Sequence, residues 1–120
     1  LRRELAAARV FWHAAGLGDP PPPPDRQEHF GIATVEAMAA GCVPLGPARG
    51  GQPEIVRAGV DGFVCASVEE IADRTAALAD PAALDRLAAS ARERAKEFGR
   101  DRFEAELLRR VAALTAGGPP

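Results

Sequence analysis

A chain of 120 residues has room for one hydrophobic core and not for two, since at this length roughly two-thirds of the unfolded surface can be buried. Hydrophobic residues at 47% and charged residues at 27% exclude a disordered protein. The formal net charge of −2 speaks against a nucleic-acid partner or a basic membrane-binding surface, and no apolar run has the length of a membrane span or the shape of a signal peptide. A cytoplasmic location is expected, with membrane contact at most peripheral.

In chain order, Leu1–Arg9 reads as the end of a helix rich in Ala, Arg and Leu. Val10–Ala14, VFWHA, is a bulky apolar run of strand type. Gly16–Gln27 is loop; its consecutive prolines, Pro20–Pro24, favour polyproline II and a stiff surface segment over a PxxP ligand for another protein. A helix is predicted from about Ile32 to Ala40, closed by Gly41, and CVPLG (Cys42–Gly46) is a second, buried-type strand. Gly50 and Gly51 permit a tight turn, Pro53 suits the start of a short helix, and Gly59 ends it. Gly62–Cys65 is a third strand. Ser67 and Glu70 form a capping box ahead of a helix to about Ala79, and Asp80-Pro81 opens the next. That helix carries Leu84, Leu87, Ala88, Ala91, Ala95 and Phe98 on one face, and Gly99 breaks it. A last helix from about Asp101 has Phe103, Leu107, Val111 and Leu114 at helical spacing.

Strands alternating with helices mean βαβ units, hence an α/β fold: a partial Rossmann-like parallel sheet with flanking helices and a helical C-terminus. Residues 1–116 are expected to form this partial domain and 117–120 a frayed, disordered tail. Because the sequence starts at Leu1 and its sole methionine is Met38, the chain is expected to be part of something longer.

Between His29 and Arg49, Glu36 is the one charged side chain. Its helix is apolar nearly all round, a pattern that predicts burial. None of its helical neighbours Ile32, Ala33, Ala39 and Ala40 can pair with a carboxylate. A buried, unpaired carboxylate costs several kcal/mol, so a partner from elsewhere is required: a distant arginine, backbone amides or a ligand. Two carboxylate oxygens suit a vicinal diol such as a ribose or a sugar. At the start of the same helix, backbone N–H groups of Phe30, Gly31 and Ile32 would face the incoming loop, and a helix start after a glycine favours a phosphate. A phosphate there with a ribose one turn further in describes a nucleotide. The plainer alternative is that Glu28 is only a helix-start acid and Glu36 reaches solvent from the helix edge.

At these residues the sequence resembles a known family. EHFGIATVE (Glu28–Glu36) matches the E-x7-E signature of retaining GT-B glycosyltransferases of family 4, and FG, EAMAAG, GGQPEIV and DGF follow in order. The resemblance covers nearly the whole chain and is to the C-terminal, donor-binding domain. The final stretch, RERAKEFGRDRFEAELLRRV, is similar to closing helices that pack back toward an N-terminal domain. The resemblance implies that Glu36 binds the ribose hydroxyls of a nucleotide-sugar donor. It also implies that Glu28, the catalytic candidate, lies near the sugar and its phosphates, that Phe30, Gly31 and Ile32 contact the diphosphate or sugar, and that Gly50-Gly51 shapes the pocket. His29, next to Glu28, is a further candidate donor contact, with a packed or solvated histidine as the alternative. The implied activity is hexosyltransferase-like transfer from a nucleoside diphosphate to a hydroxyl acceptor with retention, with no metal or other cofactor. A lipid or glycan acceptor would account for peripheral membrane contact.

The cationic clamp of that family has no counterpart here; Arg26 and Arg49 do not stand at matching positions. With the first strands and the N-terminal acceptor domain also lacking, the chain by itself is expected to be inactive. His13, His29 and Cys42 fit no zinc spacing, Cys42 and Cys65 read as buried reduced thiols, and Trp12 reads as core. Arg92–Arg102 reads as a solvated face and Glu54 as a helix-start acid. The alternatives to an enzyme part are a non-catalytic nucleotide-sugar binding module and a remnant interaction domain. A nucleotide-sugar epimerase fits the motifs less well.

Overall fold

The structure, a computed structural model, describes residues 2–18, 20–27 and 29–117. The catalytic candidate Glu28 and all but the first residue of the expected tail lie outside the described residues.

Three parallel strands form one sheet in the order β1-β2-β3: β1 is Val10–Trp12, β2 Val43–Pro47 and β3 Phe63–Cys65. Six helices accompany them: α1 (Arg2–Ala7), α2 (Ile32–Ala39), α3 (Gln52–Ile55), α4 (Val68–Ala77), α5 (Pro81–Ala95) and α6 (Arg100–Ala116). Single 3-10 turns lie at Pro24–Arg26 and Lys96–Phe98. The helix–strand alternation thus yields the parallel α/β sheet that the sequence predicts.

β2 is buried at every position because it is the middle strand with helices on both faces. Two prolines are tolerated in it because Pro44 precedes the first β3 pair, Leu45↔Phe63, and Pro47 closes the strand. One core cluster joins Val43 and Leu45 of β2 to Cys65, Ile71, Leu78, Leu87 and Ala88. A second joins Met38 of α2 to Ile55, Val56, Ala91 and Ala95. α5 serves both clusters with the face read from its spacing: Leu87, Ala88, Ala91 and Ala95 are buried.

Local chemistry sets the boundaries. Ser67 Oγ accepts the Glu70 N–H at 3.1 Å, while the Glu70 carboxylate reaches back to the Ala66 N–H at 2.7 Å, one residue beyond the usual capping-box donor. Asp80 Oδ1 accepts the Ala82 N–H at 3.2 Å to start α5. Asp61, fully buried, accepts from the Arg57 backbone N–H at 2.7 Å and from Arg57 Nε at 2.6 Å, fixing the turn into β3. Arg94 of α5 donates to the carbonyls of Glu54 and Ile55 at 2.8 and 2.9 Å and so caps the end of α3.

One expectation is corrected here. Trp12 is not core: it is 60% exposed, because β1 lies at the edge of the sheet, and its indole N–H donates to Thr75 Oγ1 at 3.0 Å. α6 forms where the apolar spacing places it, and among the described residues its Phe103, Leu107, Val111 and Leu114 are all exposed. Both cysteines are buried and free, and burial pushes both thiols above their ordinary pKa. Among the described residues no helix is long and apolar enough to cross a membrane.

Candidate functional site

Parallel pairing sets Trp12, the last residue of β1, opposite Leu45, two residues before β2 ends at Pro47, and His13 donates its backbone N–H to the Leu45 carbonyl at 2.9 Å. The segment leading to α2 and the Gly50–Gly51 turn therefore meet at the carboxyl edge of the sheet. In open parallel sheets this edge is where ligands bind.

Glycines make the meeting possible. Gly31 caps α2 with φ +85°, a left-handed conformation, and a Cβ there would lie 2.5 Å from Gln52 Nε2. A Cβ on Gly51 would lie 2.2 Å from the His29 carbonyl oxygen, so the two backbones touch as only glycine allows. Gln52 fills the space behind Gly31. It is 1% exposed, and its Oε1 accepts from Thr34 Oγ1 at 3.0 Å. Its Nε2 has no hydrogen-bond partner among the described residues, nor does Nε2 of buried His13.

The sequence candidates fall into place unevenly. His29 is exposed, its Nε2 lies 3.0 Å from the Pro24 carbonyl oxygen, and its backbone lies on Gly51. Phe30 is exposed and lines a cavity of about 360 Å³ with Phe98, Arg102 and Phe103. Gly31 is buried at the head of α2, Ile32 is exposed, and Gly50 has φ +61°.

Glu36 departs from the expectation of burial. It is exposed and borders another cavity of about 360 Å³ with Arg2, Leu5, Ala39 and Ala40. α2 buries only Thr34, Ala37 and Met38, so Ile32 and Glu36, four residues apart, share its solvent face. The carboxylate needs no buried partner. It reaches solvent from the edge of the helix, one turn beyond the helix start, as in the plainer of the two readings of the sequence.

Arg49, next to the glycine turn, spends Nη1 on the carbonyls of Gly16 and Gly18 at 3.0 and 3.2 Å, tying down the loop after β1. A cavity of about 510 Å³ at that loop is lined by Leu17, Arg49, Ser67 and Glu69 among others, and by none of the candidate donor residues. Among the described residues no three His, Cys, Asp or Glu side chains are grouped to hold a metal.

Thr34 and Gln52 are the site residues that sequence reading missed. The available signals were a lone hydroxyl in an apolar helix and a glutamine directly after two glycines.

A glycine-cradled helix start thus stands at the carboxyl edge of the parallel sheet, with the Glu36 carboxylate one turn in. The profile of the family described as glycosyl transferases group 1 matches residues 1–100, and the chain belongs to that family. HepE from Anabaena in complex with UDP-glucose aligns with 96% of this chain at 25% identity and a TM-score of 0.66. Its complex with UDP aligns at the same identity and a TM-score of 0.68. This chain spans 29% of HepE. The C-terminal domain of the group 1 glycosyl transferase LpcC from Francisella tularensis aligns with 57% of the chain and 37% of that domain, at 28% identity and a TM-score of 0.53. The sheet, its flanking helices and the helical end are thus those of the C-terminal domain of GT-B glycosyltransferases. No curated protein matches the sequence significantly.

Proposed function

We propose that this chain is the donor-binding part of a glycosyltransferase of the retaining, E-x7-E type. Such an enzyme moves a hexose from a nucleoside-diphosphate sugar to a hydroxyl acceptor. The observation that carries the reading is the arrangement around α2: a left-handed Gly31 turn packed against Gly51, with Glu36 on the solvent face one turn in. Membership of the family supports it, as does likeness to a protein that binds UDP and UDP-glucose.

In this reading the diphosphate lies at the head of α2, where the helix dipole favours negative charge. The Glu36 carboxylate accepts from the ribose hydroxyls, each charge-assisted bond contributing about 1.5–3 kcal/mol. Glu28 belongs beside the sugar and its phosphates. Bond breaking at the anomeric carbon puts charge on the departing diphosphate, and stabilising that charge is the main catalytic demand. Arg49 is committed in part to the Gly16 and Gly18 carbonyls, so this chain is proposed to bind donor without turning it over. The acceptor, and the cations that would hold the leaving group, belong to the remainder of a two-domain enzyme.

The test is calorimetric titration of the chain with UDP and UDP-glucose, beside Glu36→Ala. Binding that weakens about tenfold to a hundredfold in the variant, with an unchanged circular dichroism spectrum, is expected. Equal affinity in the two proteins refutes the ribose role. Absence of binding to the parent chain refutes the donor-site reading.

A further inference from the structure

Gln52 is 1% exposed, and its carboxamide is half used. Oε1 takes the Thr34 hydroxyl at 3.0 Å, while Nε2 faces the Gly31 turn with no acceptor. Buried polar groups are almost always paired, and a donor left alone carries its full desolvation penalty. This one stands directly behind the residue that caps α2, in the space that a side chain on Gly31 would occupy.

We propose that Gln52 is a positioning residue for the nucleotide-sugar donor, acting through the Gly31 turn. The inference rests on the donor-site reading above. When a donor occupies the head of α2, the turn settles onto the spare amide hydrogen, and the hydrogen bond and the donor complex form together. The spare N–H of Gln52 is the donor that this contact would use. Gln52 touches no reacting atom; it selects the shape of the loop that does.

The sequence makes the test unusually clean. It contains two glutamines, Gln27 and Gln52, and no asparagine, so a nitrogen–proton correlation spectrum shows two side-chain amide pairs. Gln52→Glu removes one pair and assigns it, while keeping an oxygen for Thr34. On saturation of the parent chain with UDP-glucose, the Gln52 pair is expected to move downfield and exchange more slowly with water. The Gln27 pair, already bonded to the Pro22 carbonyl at 3.0 Å, should stay in place. Gln52→Glu and the isosteric Gln52→Met should each bind UDP-glucose about tenfold more weakly at a temperature where both are fully folded.

A Gln52 pair that stays still while backbone amides of α2 respond overturns the proposal and leaves the donor site standing. So does wild-type affinity in folded Gln52→Glu, which would make the residue merely structural. If no amide responds to UDP-glucose, the donor-site reading falls and this inference with it. Should either variant fail to fold, the response of the parent Gln52 pair decides alone.

Discussion

Thr34 and Gln52, 18 residues apart in sequence, share a buried 3.0 Å hydrogen bond that ties α2 to α3 across the glycine turns. Replacing Thr34 by valine keeps the shape but leaves Gln52 Oε1 without a donor. The expected loss is about 1–3 kcal/mol, the cost of one unsatisfied buried acceptor. Urea unfolding should show it as a lower midpoint with an unchanged slope.

The two glycines of the turn should respond differently. Gly50 is exposed with φ +61°, so alanine there costs about 1–2 kcal/mol of left-handed backbone strain. Gly51 faces the His29 backbone, where a Cβ would come within 2.2 Å. Alanine at 51 should cost about 1–3 kcal/mol by overpacking and also displace the loop ahead of α2. Thermal melts of the two variants, paired with UDP-glucose titration, should find affinity lost chiefly in Gly51→Ala.

Asp61 is fully buried. Asp61→Ala removes both acceptors of Arg57, whose side chain is 49% exposed and can turn to water. What remains is a backbone N–H with nothing to meet. About 2 kcal/mol of lost stability is expected, less than for a pair buried at both ends. Asp61→Asn keeps one acceptor oxygen for the Arg57 backbone N–H and loses the pair with Arg57 Nε, so chemical denaturation of it beside Asp61→Ala separates the backbone bond from the ion pair.

Burial raises the thiols of Cys42 and Cys65 above the ordinary value of 9.0. The folded state therefore favours the neutral thiol. Its contribution is fully present below pH 9 and is lost as the pH climbs through the raised folded values. Two outcomes follow: the native chain should resist a disulfide reagent at pH 8 and titrate two thiols once unfolded, and the urea midpoint should fall between pH 8 and pH 10. Replacing both cysteines with alanine should flatten that fall.

Much of the fold was legible because its signals are local. The Ser67–Glu70 and Asp80-Pro81 caps and the apolar face of α5 depend on residues a few positions apart, and strand–helix alternation implies parallel pairing. What was not legible depends on which face of an element has a neighbour. α2 looks apolar all round, yet only one side of it meets the core, and Glu36 lies on the other. Trp12 has the composition of a core residue and the position of an edge-strand residue. The Thr34–Gln52 bond joins two elements through space, and no spacing rule announces it.

The radius of gyration, 16.6 Å, exceeds the value of about 14 Å for a compact chain of this length, and the apolar residues of the long helix α6 are exposed. At 17 residues this helix is roughly 25 Å long. Its first two turns, through Phe103 and Glu106, line one cavity with Phe98 and with Phe30 at the head of α2. The start of α6 is therefore part of the wall beside the loop that the donor is proposed to meet.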